Sequence, residues 1–204
     1  MTDDRVECFV IQRTAMVRLS LRRTFVADVP GRPAQNCSVS EYGYHQARFE
    51  IGEEPRSAHV DEEGRLWARF VTEKDDPRWP KSCACGYVFK YEDPWHRDVW
   101  EIYEGCSKPS TEEQPWRADW RGVLHDAPAG AMWDADWLGK FAMGPDALHL
   151  MIKLPDGNEW LVDGPANDGG KWSRTGEWPK VTATPSILTR TYHGWLTDGH
   201  LVRC

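Results

Sequence analysis

Leu148-His149-Leu150-Met151-Ile152-Lys153-Leu154-Pro155-Asp156-Gly157-Asn158-Glu159-Trp160-Leu161-Val162 is the stretch that decides the fold class. Leu148, Leu150, Ile152 and Leu154 occupy alternate positions, with His149, Met151 and Lys153 between them. A period of two is that of a strand with one face against a core. Pro155-Asp156-Gly157 then supplies turn chemistry, and Glu159 to Val162 returns along the first strand. An antiparallel hairpin follows. The end of the chain repeats this logic, with Gly194-Trp195-Leu196, a turn at Thr197-Asp198-Gly199, and His200-Leu201-Val202 coming back.

Working outward, Val6 to Leu21 contains the same alternation, clearest from Met16 to Leu21. Gln46 to Ile51 and Leu66 to Val71 read as further strands, the second with Leu66, Ala68 and Phe70 on one face. Asp98 to Glu104 fits a strand or one turn of helix. A loop with Pro30, Gly31 and Pro33 leads to Cys37, and Asp76-Pro77-Arg78-Trp79-Pro80 is a rigid turn. No helix-period stretch of useful length, repeat or low-complexity tract interrupts the pattern. The expected fold is mostly β, a compact antiparallel roll or sandwich of hairpins with a zinc knuckle at one edge. The polar segment from Lys108 to Gln114, bounded by Pro109 and Pro115, suggests two lobes sharing one core. These are an N-terminal β lobe carrying the knuckle (1–112) and a C-terminal hairpin lobe (113–204).

The 204 residues can bury a substantial apolar interior. A hydrophobic fraction of 40% and a charged fraction of 28% exclude disordered, collagen-like and membrane-protein compositions. The net charge of −7 opposes nucleic-acid binding. Arg18, Arg22 and Arg23 form the best basic patch, but no aromatic residues are interleaved with them, and a solvated strand face is the expectation. The acidic start Met1-Thr2-Asp3-Asp4 is unlike a signal peptide, and no apolar run has the length of a membrane span. The expectation is a protein that is not secreted and has neither nucleic-acid nor membrane partners.

Cys83-Ala84-Cys85-Gly86 is the most specific chemical signal. Two thiolates on a tight turn can reach one tetrahedral ion, and the glycine lets the chain bend so that backbone amides face the sulfurs. The competing reading is two buried cysteines in a strand-turn. Six cysteines in a chain of this length are too sparse for a disulfide scaffold, so the clustered pair points to structural zinc. Two further ligands are needed. Cys37 and His45 form one candidate pair, with seven residues between them. His193 and Cys204 form the other, which would staple the C-terminus to the knuckle. The first pair closes the shorter loop. Cys8 and Cys106 have no partner at ligand spacing and read as structural.

Several linked motifs carry a resemblance. They are Arg22-Arg23, Tyr44-His45-Gln46-Ala47, Asp76-Pro77-Arg78-Trp79-Pro80, Cys83-Ala84-Cys85-Gly86-Tyr87 and Gly130-Ala131-Met132-Trp133-Asp134-Ala135-Asp136-Trp137. Further along come Leu154-Pro155-Asp156-Gly157 with Trp160 and Asp163, Arg174-Thr175-Gly176, Pro185-Ser186-Ile187 and Tyr192-His193-Gly194-Trp195-Leu196. Together the chain resembles a family of uncharacterised proteins encoded by tailed bacteriophages and prophages, over most of its length. It is more distantly similar to a bacterial family of unknown function that sometimes neighbours ubiquitin-like conjugation genes. That second likeness implies a place for His193 near the knuckle. The phage relatives usually carry two residues between the knuckle cysteines, where this chain has one. The resemblance implies a setting in the host bacterial cytoplasm or the virion, and a zinc site, but no reaction.

Other constellations favour structural roles. His193 with Asp198 or Asp163, and Ser186 as nucleophile, has the residue types of a triad, but Pro185-Ser186-Ile187 lacks the glycine elbow that exposes a serine. Asp134 and Asp136, flanked by Trp133 and Trp137, are too close in sequence to face each other across a glycosidase cleft. The leading expectation is a non-enzymatic, zinc-binding structural or interaction protein with a protein partner, either an accessory virion component or a host-factor binder. The alternative is a metal-dependent hydrolase with an open zinc position. A closed set of four protein ligands separates the first from the second.

Overall fold

The computed structural model describes residues 5–25, 37–39, 44–66, 69–70, 74–105, 119–165 and 172–204. The protein is mostly β, with three short 3₁₀ turns among the described residues. Its strands are β1 (Arg5–Glu7), β2 (Phe9–Thr24), β3 (Gln46–Pro55), β4 (Arg69–Phe70), β5 (Trp95–Gly105), β6 (Trp120–Gly122) and β7 (Ala131–Asp134). They continue with β8 (Leu150–Lys153), β9 (Glu159–Leu161), β10 (Ser173–Glu177), β11 (Lys180–Leu188), β12 (His193–Thr197) and β13 (His200–Arg203). The chain divides into two compact units, Thr14–Ile102, and Met1–Arg13 with Tyr103–Cys204. The division suggested by the sequence was 112/113; residues 108–114 lie outside the described residues.

In the unit Thr14–Ile102, β2 pairs antiparallel with β3, and β4 with β5. The alternation from Met16 to Leu21 is real: Val17, Leu19 and Leu21 are buried. Val17 and Leu19 pack with Val99, while Leu21 packs with Trp79 and Trp95. Register shifts between Leu19 and Ser20, where Gly52 of β3 has a φ of 134° and absorbs the irregularity. Asp98 to Glu104, ambiguous by periodicity, lies within the strand β5. Of the expected strand 66–71, Leu66 bridges Val60 and residues 69–70 form β4. Residues 67–68 and 71 lie outside the described residues.

The arginines of β2 correct the expectation of a solvated face. Arg23 is 4% exposed, with its guanidinium 3.7 Å from the centre of the Trp95 ring. It donates to the carbonyls of Lys90 and Asp93. Arg22 donates through Nε to buried Asp98 at 2.7 Å, and Arg18 lies 3.9 Å from Glu53. Two carboxylates, Asp98 and Glu53, are thus placed beside Arg22 and Arg18.

In the other unit, β8 and β9 form the predicted hairpin, with Ile152 opposite Trp160 and Lys153 opposite Glu159. Leu150, Ile152 and Leu154 are buried in a core with Met132, Ile187, Leu196 and Leu201. The intervening His149 and Lys153 are buried too. Lys153 keeps its ammonium satisfied at the carbonyl of His125, 3.1 Å away. The terminal hairpin β12–β13 pairs Leu196 with Leu201 and Thr197 with His200. Asp198 and Gly199 take φ of 45° and 69°, the positive pair a tight two-residue hairpin turn requires. The five-stranded sheet has the order β1-β13-β12-β11-β10, so the last two strands are interior. At least one pairing among the described residues departs from the antiparallel expectation: Phe9 and Val10 of β2 run parallel to Ala131 and Met132 of β7.

Candidate metal centre

The cysteine turn is built by backbone hydrogen bonds. Cys83 N–H donates to the carbonyl of Tyr87 at 2.8 Å, and Gly86 N–H to that of Cys83 at 2.9 Å. Ser82 and Val88 bridge the two arms. Gly86 has a φ of 92°, a backbone that a side chain would strain, and this closes the turn. His45 is brought in from the start of β3, because its carbonyl accepts the N–H of Phe25 at the end of β2. Phe25, Cys37, Cys83 and Phe89 form a small buried cluster, with Ala47 and Tyr87 against it. The His45 ring stacks on Tyr87 at 4.3 Å and 2°, which fixes its orientation. Tyr87 is held in turn by a 3.2 Å hydrogen bond from its hydroxyl to buried Asp93, which also accepts Lys90 N–H.

The result is that Cys37, His45, Cys83 and Cys85 present ligand atoms that all lie within 4.8 Å of one another. Cys37 Sγ and Cys83 Sγ are 3.7 Å apart, and His45 Nδ1 and Cys85 Sγ 3.1 Å. The cysteines are free thiols, and 3.7 Å is far beyond a disulfide bond of about 2.05 Å. It does match a tetrahedral edge, since metal–sulfur bonds near 2.3 Å put two sulfurs about 3.8 Å apart. The four residues can therefore hold a metal ion. Burial pushes the Cys83 thiol up, but backbone N–H groups of Cys85 and Gln46, with the His45 and Cys37 side chains, more than reverse this and lower it to about 6. At Cys85 the Tyr87 N–H favours the thiolate, yet burial and the other two sulfurs raise the thiol overall. Amides thus face the sulfurs, as a turn after a glycine-flanked cysteine pair should arrange, and Cys83 is the thiol they hold toward the thiolate.

Neither family profiles, curated proteins nor solved structures match this chain.

His193 and Cys204, the other candidate pair, do not belong to the cluster. They are neighbours across β12 and the end of β13, where Cys204 N–H donates to the His193 carbonyl at 3.0 Å. Strand register brings them together, in the unit that does not contain the knuckle. His193 Nε2 lies 3.4 Å from Ser186 Oγ on an exposed strand surface, beside Trp195. Asp163 is committed to Arg174 at 3.0 Å, and Asp198 sits in the hairpin turn, so the triad residue types are not assembled as one. Trp133 is fully buried, Asp134 accepts His149 N–H at 2.8 Å, and Asp136 pairs with Arg13 at 2.5 Å. These are structural roles. Cys8 is buried in the core with Met132 and Leu201, and burial pushes its thiol up to about 12. Cys106 lies outside the described residues.

The sequence did not reveal the support around the site. Nothing in the spacing of Arg23, Tyr87, Phe89 and Asp93 announces that Asp93 anchors Tyr87 while Arg23 fills the space between Phe89 and Trp95. The one available signal was local: Asp93 lies three residues beyond Lys90, the spacing of a side chain that caps a turn.

Proposed function

We propose that the protein binds one zinc ion in a closed site made by Cys37, His45, Cys83 and Cys85, and acts as a phage-encoded structural or interaction protein rather than an enzyme. The observation that carries this reading is the four-donor cluster with a sulfur–sulfur separation of 3.7 Å. Three thiolates and one imidazole suit zinc, and four protein ligands fill a tetrahedron with no position left for substrate water. The surroundings agree with a structural role: a stacked tyrosine and buried phenylalanines hold the donors, and the metal would cross-link the loop at Cys37, the start of β3 and the cysteine turn. The phage setting, the virion or host cytoplasm as location, and a virion or host protein as partner rest on the resemblance of the linked motifs.

Elemental analysis of protein purified without chelator tests the metal. About one zinc per chain is expected, with His45→Ala and Cys37→Ser each lowering the content and His193→Ala leaving it unchanged. Zinc near zero, or a loss confined to His193→Ala, would refute the assignment. Mass spectrometry of purified particles of the encoding phage tests the setting: peptides of this chain in the particle mark a virion component, and their absence favours a host-factor binder.

A further inference from the structure

In the unit Thr14–Ile102, β2 and β3 frame a cavity of about 290 Å³ lined, among the described residues, by Arg22, Gln46, Ala47 and Arg48. Both charged groups in that lining are cations. Arg22 and Arg48 are directly opposite each other in the strand register, so their side chains leave the sheet on one face. Like charges in that relation repel and destabilise a strand pair. One carboxylate is set against them. Asp98, with a side chain 3% exposed, accepts Nε and Nη2 of Arg22 at 2.7 and 3.2 Å and lies 3.7 Å from Nη2 of Arg48. Two guanidiniums against one carboxylate leave a local charge of about +1. Glu50, the next residue on that face of β3, is exposed and lines no part of the cavity.

The donors that carry this charge are within reach of a ligand. Nη1 of Arg22 makes no hydrogen bond among the described residues, and neither does any nitrogen of the Arg48 side chain, which is 46% exposed. Arg48 is not a loose surface arginine, since its guanidinium lies 5.6 Å from the centre of the exposed Trp100 ring, which helps to orient it. Gln46 adds an exposed amide to the same lining. We infer that this cavity binds a phosphate group, with the Arg48 fork and Nη1 of Arg22 donating to its oxygens. The planar fork of a guanidinium matches the oxygens of a phosphate two at a time. A carboxylate brings one charge and two oxygens, whereas a phosphate monoester brings nearly two charges and three oxygens, enough to engage both arginines. The cavity is too small for a drug-sized molecule, so the phosphate carries a short body at most. The net charge of −7 opposes a long polyanion, which favours a small phosphate compound over nucleic acid. None of the four lining residues is a proposed zinc ligand, so the inference stands apart from the metal reading.

The test is a titration of the full-length protein at low ionic strength, followed through the Nε–H resonances of Arg22 and Arg48 and the indole N–H of Trp100. The probes are inorganic phosphate, glycerol 3-phosphate, acetate and a single-stranded oligonucleotide. Saturable shifts with Kd of about 1 mM or tighter are expected for the two phosphates, and at least about fivefold weaker binding for acetate. Arg48→Ala should weaken phosphate by about tenfold or more, and Arg48→Lys, which keeps the charge and loses the fork, by about threefold. The Arg48→Ala variant should keep its melting temperature in phosphate-free buffer and lose the rise that about 10 mM phosphate gives the parent. Arg18→Ala, on the same strand but paired with Glu53, should leave the affinity within about twofold. No saturable shift up to about 20 mM phosphate, undiminished binding by Arg48→Ala, an equal loss on Arg18→Ala, or acetate binding as tightly as phosphate would overturn the inference. So would oligonucleotide binding tighter than about 1 μM, which would make this face a nucleic-acid surface.

Discussion

At the scale of single residues, the knuckle illustrates how one side chain's chemistry is set by its neighbours. Cys8 and Cys83 are both buried thiols, yet their environments push them in opposite directions, to about 12 and to about 6. At Cys8 burial in the apolar core outweighs the one backbone hydrogen bond, at Leu201, that favours the thiolate, whereas Cys83 faces the amide N–H groups of Cys85 and Gln46 together with His45 and Cys37. Cys83→Ser should therefore lose bound zinc and lower the melting temperature. Cys8→Ser should keep the zinc and cost roughly 1–2 kcal/mol for burying a hydroxyl in an apolar core. Zinc content and thermal unfolding of the two variants check this. Arg174 makes a second residue-scale case. Burial pulls the Asp146 carboxyl up, but hydrogen bonds from Arg174, the largest influence, hold it below the usual range. A folded-state value below the unfolded one means that stability is fully present above the unfolded value, about 3.9. It is lost as pH falls through the folded value. Asp146→Asn should flatten the acid limb of the stability profile and leave neutral pH less affected, as measured by denaturant unfolding from pH 7 down to about 2. Which cysteines carried the chemistry was legible in the sequence, because Cys-Ala-Cys-Gly is a local pattern. Arg23 and the Arg174 pairs were not, because their partners lie 70, 28 and 11 positions away along the chain and no period links them.

At the scale of elements, hairpins were read correctly where turn and alternation agree. Pro155-Asp156-Gly157 and Thr197-Asp198-Gly199 each sit between runs of period two, and both became tight connections. β5 could not be read this way, since Trp95 to Gly105 is buried on both faces over much of its length and loses the alternation. The parallel pairing of β2 with β7 has no sequence signal, because partners more than a hundred positions apart meet through the fold and not through a turn. The two turn glycines differ in a testable way. Gly157 and Gly199 both have positive φ, 83° and 69°. A Cβ at 157 would meet nothing within 4 Å, while one at 199 would lie 2.9 Å from the Pro179 carbonyl oxygen. Gly157→Ala should cost the backbone penalty alone, about 1 kcal/mol. Gly199→Ala should cost about 2 kcal/mol or more, since it adds a clash with a β10–β11 connection that cannot move away freely. Equal destabilisation of the two in urea unfolding would contradict this.

At the scale of the whole molecule, the two units rest on different sources of stability. The unit Met1–Arg13 with Tyr103–Cys204 has the large apolar core, in which Leu196, Leu201, Ile187, Ile152 and Leu150 are completely buried. Burying side chains of this size is worth roughly 1.5–3 kcal/mol each, so such a core does not need a metal. The unit Thr14–Ile102 instead has several small clusters, and one of them is composed of Phe25, Phe89 and two of the proposed zinc ligands. Removing the ion would leave three thiol groups and an imidazole facing one another where metal bonds had held three separate segments. The loss should be local. In hydrogen exchange after treatment with a strong chelator, amides of the cysteine turn, the start of β3 and Phe25 should lose protection by about tenfold or more. The interior strands β12 and β13 should keep theirs, because no residue of their core belongs to the cluster. The same argument makes the terminal hairpin indispensable for a reason unrelated to zinc. Deleting the residues after Leu196 removes Leu201 and the partner strand of both β1 and β12, and should yield insoluble or protease-sensitive protein whether or not zinc is supplied. If chelation instead strips protection from β12 and β13 as strongly as from the cysteine turn, the ion supports the entire chain and the division of labour between the two cores is wrong.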